Sequence, residues 1–461
     1  MNHRDEYHRK LISAAEAAGL VKSGMWIDYG YICGFPILVD YELAKRAKEL
    51  EKVEIRAYLS LVEPQVLKVD PAQEHFIYHS WHLSGIERGY HDKGGCSYIP
   101  SNLSEIPGMY RERLRDKVDI AFIEVTPMDK YGYFNFGASI SYQKALCDAA
   151  RTVVVEVNES QPWIYGGRDE VIHISQVDYI VENNEYEIAE LPMAPPTKTD
   201  GAIAEHIASL IEDGATIELG IGNIPNTVGS LLVKYGLKDL GIHTGIVTDC
   251  MIDLIEAGVV TGRKKTLNPG KVVTASVAGS RKLYDYVTHN TMIAGFPSDY
   301  THNIFIIAQN NQQICINSAL RIDLTGQVSS ESIGRRQISG TGGQLDWTRG
   351  AQMSAGGKAI LCLYSTNKDK DGKLMSNIVP TLELGDTVTV PRSDVSYVVT
   401  EFGVVDLKAK SIWQRAKLLI SIAHPDFRAE LEEDAHKANL LARSTAHLDL
   451  ANHGITINEN T

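Results

Sequence analysis

An internal repeat constrains the fold of this 461-residue chain more than any other feature of its sequence. Residues 21–61 read, in order, as glycine, strand, glycine turn, proline, helix and strand. The stretch from Ile211 to a strand beginning at Gly241 repeats that order, and Ile242 aligns with Ile55 of the first copy. A repeated order over this length indicates two copies of one structural unit. We therefore expect two similar domains with a cleft between them, which is a common place for a ligand site.

Short apolar runs alternate with amphipathic helical stretches from Met25 onward. Such alternation is typical of α/β domains built on largely parallel sheets. We expect strands at residues 25–29, 53–61, 120–125, 152–157, 216–219, 272–277 and 304–307. The predicted fold class is α/β, with two similar open domains, largely parallel sheets and the active site in the cleft between them.

A proline-rich stretch separates the two copies. Residues 191–200 read Leu-Pro-Met-Ala-Pro-Pro-Thr-Lys-Thr-Asp, and proline fits neither a helix interior nor a central strand. We predict an N-terminal domain over residues 1–190, a linker over residues 191–200 and a C-terminal domain over residues 201–445. Residues 446–461 lack a periodic apolar pattern and are expected to form a poorly ordered tail.

Composition and charge exclude several classes of function. The formal net charge of −13 repels nucleic acid and anionic membrane surfaces, and no basic run offsets it. No run approaches the roughly 18 apolar residues of a membrane span, and the charged start of the chain does not resemble a signal peptide. The six cysteines form no Cys-x-x-Cys pair, which argues against a disulfide framework or a thiolate zinc site. We expect a cytoplasmic protein that binds neither nucleic acid nor membranes.

A glycine turn at residues 219–225 follows a predicted strand and precedes a predicted helix. Gly220, Gly222 and Asn223 lie in this turn, and their backbone N–H groups can point at negative charge on a ligand. The turn lacks the full glycine pattern of a dinucleotide site and the Gly-Lys-Ser/Thr of a P-loop. A ligand-binding loop and a purely structural turn both stay open at this point.

A second glycine-rich segment spans residues 338–358. It begins Ile-Ser-Gly-Thr-Gly-Gly and ends at Lys358. Clustered glycines such as Gly340, Gly342 and Gly343 can present N–H donors to a developing oxyanion, and Lys358 can meet a phosphate. The alternative is a tight turn beside solvated basic residues, and the spacing alone does not distinguish the two.

Three histidines, His75, His79 and His82, have a spacing compatible with metal binding. They lie among aromatic residues, where histidine more often fills polar gaps, and no carboxylate or cysteine completes a recognisable motif. Neither Gly-x-Ser-x-Gly nor His-Glu-x-x-His occurs in the chain, which removes two common hydrolase classes. We predict no metal site and no bound cofactor.

Five segments carry a resemblance to a known family. They are residues 127–137, 219–225, 326–332, 340–346 and 397–403, the first of which reads Pro-Met-Asp-Lys-Tyr-Gly-Tyr-Phe-Asn-Phe-Gly. Together they resemble the acetyl-CoA hydrolase/transferase family, and within it the 4-hydroxybutyrate and butyryl-CoA:acetate CoA-transferases. The segments are spread over most of the chain, so the resemblance covers both copies of the repeat.

The resemblance implies an enzyme that moves CoA from a short acyl-CoA, such as acetyl-CoA, to a small carboxylic acid through a glutamyl-CoA thioester. A carboxylate suits this exchange because it is ionised at pH 7 and becomes an activated acyl group once it has attacked. The resemblance assigns Gly342 and Gly343 as oxyanion donors and implies a homodimer or larger homo-oligomer, with CoA as substrate. We expect the coenzyme A site to include Gly220, Gly222, Asn223, Gly340 and Lys358.

The resemblance breaks at one position. Relatives of this kind carry His-Thr-Glu where this chain has His243-Thr244-Gly245, and that glutamate is their nucleophile. The chain is therefore inactive, altered in sequence, or served by another carboxylate. Glu63 is our candidate, because it follows the strand that aligns with the one bearing Gly245 and can enter the cleft from the opposite wall. The alternative is that Glu63 is a solvated loop residue.

Other carboxylates compete for this role. Glu331 lies in a family-like segment but accompanies the usual nucleophile in relatives, which indicates an ancillary role. Asp249 and Glu218 lie near the gap in the sequence. The acceptor acid stays open between 4-hydroxybutyrate, butyrate and a dicarboxylate such as itaconate or succinate. Acyl-CoA hydrolysis and CoA binding without catalysis are the alternative functions.

Overall fold

The first half of the chain folds around one sheet of parallel strands. The computed structural model describes residues 2–441, and the tail expected over residues 446–461 lies outside the described residues. The strands of the first half are β1 (Trp26–Tyr31), β2 (Val53–Tyr58), β3 (Phe76–Ser80), β4 (Ser97–Tyr98), β5 (Val118–Val125), β6 (Tyr133–Asn135), β7 (Ala150–Asn158), β8 (Val171–His173) and β9 (Tyr179–Asn183). Its helices are α1 (His3–Lys10), α2 (Ala14–Gly19), α3 (Ile37–Ala44), α4 (Gln65–Val69), α5 (Gly85–His91), α6 (Ile106–Glu112) and α7 (Gln143–Ala149).

The second half builds a similar sheet with additional short strands. Its strands are β10 (Thr216–Leu219), β11 (Gly241–Val247), β12 (Val272–Val277), β13 (Ile293–Gly295), β14 (Gln313–Ser318), β15 (Arg321–Asp323), β16 (Val328–Ser329), β17 (Ser332–Ile333), β18 (Arg336–Gln337), β19 (Lys358–Cys362), β20 (Thr366–Lys368), β21 (Leu374–Ser376), β22 (Ile378–Val379), β23 (Tyr397–Thr400) and β24 (Gly403–Asp406). Its helices are α8 (Lys198–Ala208), α9 (Asn223–Leu232), α10 (Asp249–Glu256), α11 (Arg281–Val287), α12 (Ser298–Thr301), α13 (Ile304–Ile307), α14 (Gln344–Met353), α15 (Ile412–Ser421) and α16 (Pro425–Lys437).

The two large sheets have the same strand order. The first runs β4-β3-β2-β1-β5-β7-β9, and the second runs β13-β12-β11-β10-β14-β19-β23-β24. Neighbouring strands in both sheets are parallel except β23 and β24, which are antiparallel. In each half, the chain therefore forms a central strand first, then three strands on one side of it, and then the remaining strands on the other side. The predicted α/β class with largely parallel sheets is confirmed.

The strand pairings also confirm the alignment of the two copies. Ile27 on β1 lies opposite Ile55 on β2, and Ile217 on β10 lies opposite Ile242 on β11. Ile55 and Ile242 therefore occupy the same place in their sheets. Residues that follow them at equal distance along β2 and β11 are structurally equivalent, and this equivalence locates the candidate site below.

Apolar side chains bury both faces of these strands, as parallel sheets covered by helices require. Strand β12 is buried at every position. One continuous cluster of buried residues joins the halves and includes Ile140 and Ile217. Beside it, the N–H of Ser141 donates to the carbonyl of Ala275 at 2.9 Å. The two halves therefore share a core next to the cleft.

The strand expected at residues 304–307 is wrong, because this segment forms the helix α13. Asn303 caps the helix, and its side chain accepts hydrogen bonds from the N–H groups of Phe305 and Ile306. A run of four residues that begins and ends with isoleucine has strand propensity, but a capping side chain directly before it favours a helical turn. Local capping therefore decided the structure of this short run.

The stretch predicted as linker over residues 191–200 is irregular only as far as Thr197. Helix α8 begins at Lys198, because the Thr197 side chain accepts from the N–H of Asp200 and the Asp200 carboxylate accepts from Thr197 in return. This capping box stabilises the start of a helix. The other predicted domain boundaries stay predictions.

No helix within residues 2–441 is long and apolar enough to span a membrane. The six cysteines are buried free thiols. Among the described residues, no group of three or more His, Cys, Asp or Glu side chains is arranged to hold a metal ion.

Candidate active site

A cavity of about 360 Å³ lies between the two halves. Ligand sites in open α/β sheets commonly lie at the carboxyl ends of the strands, and this cavity lies at the carboxyl ends of β10, β11 and β14. The first half contributes Tyr31, Ile32, Tyr58, Leu59, His82 and Leu103. The second half contributes Glu218, Gly220, Ile221, Gly245, Ile246, His302, Asn317, Ser318, Ala319, Leu320, Ser330, Ile338, Ser339, Gly340, Thr341, Gly342, Gly343, Gln344 and Trp347. The cavity thus joins both predicted glycine segments to the position that lacks the glutamate.

The glycine segment before α14 forms one wall of this cavity. Gly340, Gly342 and Gly343 all line it. Gly342 has a φ of 56°, in the left-handed region that favours glycine, and its carbonyl accepts from the N–H of Leu103 at 2.9 Å. Helix α14 begins directly after Gly343, and the start of a helix has N–H groups without intrahelical acceptors. This wall therefore has the kind of donor that a developing oxyanion requires.

The glycine turn after β10 contributes only its first residue. Gly220 lines the cavity, whereas Gly222 and Asn223 are not among the lining residues. Gly222 has a backbone φ of 139°, which residues other than glycine rarely adopt. Helix α9 begins at the next residue, Asn223. Gly222 and Asn223 thus shape the turn, and the structure does not bring them to the candidate site.

The position that lacks the glutamate is in the cavity wall, on β11. A Cβ atom at Gly245 would lie 2.7 Å from Nε2 of His302 and 3.6 Å from Nε1 of Trp347. The first of these distances is shorter than a non-bonded contact allows, so any larger residue would have to displace the imidazole. The side chain of His302 therefore occupies the volume that a side chain at position 245 would need.

His302 is buried and uncharged. Its Nδ1 lies 2.8 Å from Oγ1 of Thr301, and that hydroxyl donates to the carbonyl of Pro297 at 3.4 Å. The Thr301 hydroxyl is therefore the hydrogen-bond partner of the imidazole at Nδ1. Burial lowers the pKa of His302 to about 3. An uncharged imidazole therefore lies with its Nε2 next to Gly245.

The first half presents His82 and Tyr58 to the same cavity. Their rings stack with centroids 5.5 Å apart. Nδ1 of His82 has no hydrogen-bond partner within the described part of the chain, and burial lowers the pKa of His82 to about 4. Tyr58 lies three residues after the aligned isoleucine of β2, just as Gly245 does in β11. Tyr58 is therefore the structural equivalent of Gly245.

Glu218, on the central strand β10, is the one carboxylate among the described residues that line the cavity. It is 2% exposed. Its Oε2 accepts a hydrogen bond from Nδ2 of Asn317 at 2.7 Å. Burial raises the pKa of Glu218 to about 8, and the described lining residues include no lysine or arginine that would lower it. The cavity therefore holds one weakly acidic carboxyl group.

Glu63 lies outside this cavity. Strand β2 ends at Tyr58, and the next residue has a φ of 49°, so the chain turns before it reaches Glu63. The hydroxyl of Tyr90 donates to Oε1 of Glu63 at 2.8 Å, and Nζ of Lys68 pairs with Oε2 at 3.1 Å. These partners hold the pKa of Glu63 below its ordinary value, and its side chain is 42% exposed. The expectation that Glu63 faces Gly245 is therefore corrected, because it is a solvated surface residue.

Lys358 is also away from the cavity. It is the first residue of β19, which runs parallel to β14, and the cavity lies at the opposite, carboxyl end of β14. Its Nζ donates to the carbonyl of Leu210 at 2.7 Å and pairs with Glu212 at 3.3 Å. The structure therefore does not bring Lys358 to the glycine segment that precedes it in the sequence.

Two further candidate carboxylates have partners of their own. Asp249 lies in a separate pocket and accepts from the N–H of Ser280 at 3.0 Å. Glu331 is buried and accepts from the hydroxyls of Tyr98 and Thr389, each at 3.0 Å. Neither lines the cavity. Glu331 also accepts from the hydroxyl of Thr341, which lies in the glycine segment of the cavity wall. This contact fits the ancillary role expected for Glu331.

Sequence reasoning did not single out Tyr58, His302 or Asn317. The strand alignment, carried three residues beyond Ile55, identifies Tyr58. Asn317 follows from the parallel neighbour of β10, which the sequence pattern did not define. His302 ends a short helical turn, and no motif in the sequence indicates its position. The sequence therefore contained a signal for Tyr58 but none for Asn317 or His302.

Comparison with known proteins identifies the family of the chain. The sequence profile of the acetyl-CoA hydrolase/transferase N-terminal domain matches residues 1–192, and that of the C-terminal domain matches residues 279–435. A butyryl-CoA:acetate CoA-transferase of Anaerostipes caccae is 44% identical over 445 residues, which cover 96% of this chain and 100% of that protein. A 4-hydroxybutyrate coenzyme A transferase of Clostridium kluyveri is 40% identical over 438 residues, which cover 95% and 100%.

Solved structures share the architecture. The crystal structure of RipA from Yersinia pestis has a TM-score of 0.87 and 34% identity, and the match covers 96% of this chain and 100% of that chain. The structure of a 4-hydroxybutyrate CoA-transferase from Porphyromonas gingivalis has a TM-score of 0.75 and 34% identity, with 94% and 99% covered. The chain therefore belongs to the acetyl-CoA hydrolase/transferase family, as an enzyme of the CoA-transferase class.

Proposed function

We propose that the protein transfers CoA between a short acyl-CoA, such as acetyl-CoA, and a small carboxylic acid, and that the exchange takes place in the cavity between the halves. The observation that carries this proposal is the meeting of Gly220, Gly245 and the segment around Gly342 in one cavity. Relatives named for butyryl-CoA, acetate and 4-hydroxybutyrate support the choice of substrates.

The lining of the cavity favours a monocarboxylic acceptor. Its wall includes Leu59, Leu103, Ile246 and Leu320, and the described lining residues include no lysine or arginine. The second carboxylate of itaconate or succinate would lose its water without gaining a cationic partner, which is costly. We therefore favour butyrate and 4-hydroxybutyrate over dicarboxylates.

The proposed reaction is a ping-pong exchange through a carboxylate of the enzyme. A carboxylate oxygen attacks the thioester carbonyl, the carbon–sulfur bond breaks, and CoA leaves as its thiolate, so that an acyl-enzyme anhydride remains. The thiolate then attacks the enzyme's own carbonyl carbon, which releases the first acid as its carboxylate and leaves a glutamyl-CoA thioester. The incoming acid reverses both steps, and the thioester energy is conserved without ATP.

Each attack passes through a tetrahedral intermediate with a negatively charged oxygen. Gly342 and Gly343 lie in the cavity wall at the start of α14, and we assign their N–H groups to stabilise that oxygen. CoA is a substrate in this proposal, and no other cofactor takes part. The cytoplasmic location and the homo-oligomeric assembly stay predictions.

Isotope exchange tests the proposal. Purified protein is incubated with acetyl-CoA and labelled acetate, and then with butyrate, 4-hydroxybutyrate or succinate as acceptor. We expect label to enter acetyl-CoA, and we expect butyryl-CoA and 4-hydroxybutyryl-CoA to form faster than succinyl-CoA. Tight binding of CoA without any exchange would contradict the proposal and would identify a binding protein without catalysis.

Hydrolysis of acyl-CoA is a second candidate function. It is favoured by the uncharged imidazole of His302, whose Nε2 lies 2.7 Å from where a Cβ of residue 245 would be. The imidazole can hold a water molecule beside the thioester carbonyl by a hydrogen bond; the water attacks the carbonyl carbon, the carbon–sulfur bond breaks, and a proton of the water passes to the departing CoA thiolate. Thiol release that needs no added carboxylate and is lost in His302→Gln would support hydrolysis.

A further inference from the structure

The position of Glu218 in its sheet decides what its carboxylate can reach. Ile217 lies opposite Ile242, so Glu218 lies beside His243, two residues before Gly245 on the neighbouring strand. Residues two apart on a strand point to the same face of the sheet, and the strand spacing and rise place the Cα atoms of Glu218 and Gly245 about 8 Å apart. The two positions therefore lie on the same face of the sheet, on neighbouring strands.

The side chain of Glu218 extends toward the level of Gly245. On the other side of β10, Glu218 lies opposite Cys315 of β14, so Asn317 is two residues further toward the carboxyl end. Nδ2 of Asn317 donates to Oε2 of Glu218 at 2.7 Å. Gly220 lies between Asn317 and Gly245 at this level and has no side chain. The carboxylate therefore points toward the open end of the strands, where the cavity lies.

We propose that Glu218 is the nucleophile that takes the place of the glutamate absent at Gly245. This inference rests on the proposed CoA transfer and names the residue that performs it. The carboxylate oxygen of Glu218 attacks the acyl-CoA carbonyl carbon and displaces the CoA thiolate, and the thiolate then attacks the carbonyl carbon of Glu218 and displaces the first acid as its carboxylate. The hydrogen bond from Asn317 stabilises the carboxylate each time it is regenerated.

The other candidate carboxylates cannot serve from where they lie. Glu63, Asp249 and Glu331 are not among the residues that line the cavity. Glu63 forms an ion pair with Lys68 at 3.1 Å on the surface. The remaining lining groups that accept protons, His82 and His302, cannot form the acyl anhydride of a carboxylate exchange. Geometry therefore selects Glu218 among the carboxylates considered.

Paired variants test this assignment. Exchange of labelled acetate into acetyl-CoA is measured for wild type, Glu218→Gln and the matched surface variant Glu63→Gln. We expect exchange to fall by more than about 10³-fold in Glu218→Gln, as removal of a covalent nucleophile does, and to stay within twofold, or about 0.4 kcal/mol, in Glu63→Gln. Thermal unfolding checks that each variant is folded.

A second measurement uses the wild type and does not depend on the fold of a variant. The protein is incubated with acetyl-CoA, the thioester is reduced with borohydride to an alcohol, and the modified peptide is mapped by mass spectrometry. Modification of Glu218 supports the proposal. Modification of another residue, or full exchange in folded Glu218→Gln, overturns the Glu218 assignment and leaves CoA transfer in place. Absence of exchange in the wild type overturns both.

Discussion

The two halves place a buried carboxylate at the same point of the same fold and surround it differently. Asp28 follows Ile27 on β1, and Glu218 follows Ile217 on β10. Ile27 and Ile217 pair with equivalent residues of the next strand, so Asp28 and Glu218 are equivalent positions. Both are buried, with 0% and 2% of their surface exposed. The halves differ in what lies next to the carboxylate.

In the first half the carboxylate has a cationic partner. Arg56 donates to both oxygens of Asp28, at 2.8 and 2.6 Å, and the hydroxyl of Tyr110 donates to it at 2.5 Å. A buried ion pair of this geometry satisfies both charges. Asp28 is therefore a structural group that holds β1, β2 and α6 together.

In the second half the residue equivalent to Arg56 is His243, and it has other partners. Its Nε2 donates to the carbonyl of Thr301 at 3.0 Å, and its Nδ1 accepts from Asn310 at 2.9 Å. Burial lowers the pKa of His243 to about 3, so it supplies no charge to Glu218. One repeated fold can therefore use the same position for an ion pair in one half and for a reactive carboxyl group in the other.

The largest effect is expected from breaking the ion pair of the first half. Arg56→Ala leaves Asp28 buried without its cation, so we expect the free energy of unfolding to fall by about 3–5 kcal/mol. Urea unfolding measures it. The control is Lys68→Ala, which breaks an exposed pair and should cost no more than about 1 kcal/mol. Equal losses in the two variants would mean that the Asp28 pair is not structural.

The pH dependence of exchange is the next test. Burial raises the pKa of Glu218 to about 8, and only the ionised carboxylate attacks, so the exchange rate should rise about tenfold per pH unit from pH 6 and level off above about pH 8. The titratable groups around it include Cys315, Cys362, the neighbouring-strand residue His243, and His82 and His302 of the cavity wall. Burial lowers the pKa of the three histidines to about 3 or 4 and raises the pKa of both thiols, so none of them titrates in this range. A flat profile would contradict the role of Glu218.

Removal of the amide beside Glu218 should have a smaller effect. Asn317→Ala deletes a hydrogen bond to a charged group, which contributes about 1.5–3 kcal/mol, so we expect exchange at pH 7 to fall by roughly 10-fold to 100-fold. The pKa of Glu218 should rise further, and the midpoint of the pH profile should move upward. Asn290→Ala, just before β13 and not among the residues that line the cavity, serves as control and should change neither rate nor midpoint.

The smallest effect concerns the space beside Gly245. Gly245→Ala places a methyl group 2.7 Å from Nε2 of His302, so the imidazole must shift, and we expect a loss of about 1–2 kcal/mol in the free energy of unfolding. Gly201→Ala is the control, because only its chain neighbours and its own helix backbone come within 4 Å of where a Cβ would lie, and the helix α8 should gain up to about 1 kcal/mol. Unchanged stability in Gly245→Ala would mean that His302 does not occupy this space firmly.

Most of the fold could be predicted from the sequence, because strands buried on both faces appear as apolar runs. The internal repeat shows the same order of strands and helices twice. Strands β10 and β12 have the predicted bounds. The prediction failed at residues 304–307, where the side chain of Asn303 caps a helical turn. Periodicity over four residues does not distinguish a strand from a turn of helix, so a local hydrogen bond decided the outcome.

The candidate site could be predicted from the sequence only in part. Glycine segments mark close approaches of the backbone, and Gly220, Gly340, Gly342 and Gly343 do meet in the cavity. Glu63 was chosen from its place after a strand, but strand ends are set by backbone turns that the sequence pattern does not show. The approach of His302 to Gly245 depends on packing between distant segments, which no local pattern encodes.

Transfer of an oxygen isotope to the enzyme can identify the carboxylate that takes part in the exchange. Wild-type protein is incubated with acetyl-CoA and ¹⁸O-labelled acetate, digested, and its peptides are analysed by mass spectrometry. In the proposed exchange, the acid attacks the thioester on Glu218 and its oxygen bridges the anhydride, so collapse toward acetyl-CoA leaves that oxygen on the enzyme. We predict ¹⁸O in the carboxylate of Glu218. Label in another carboxylate, or exchange that proceeds without labelling the protein, would contradict the account.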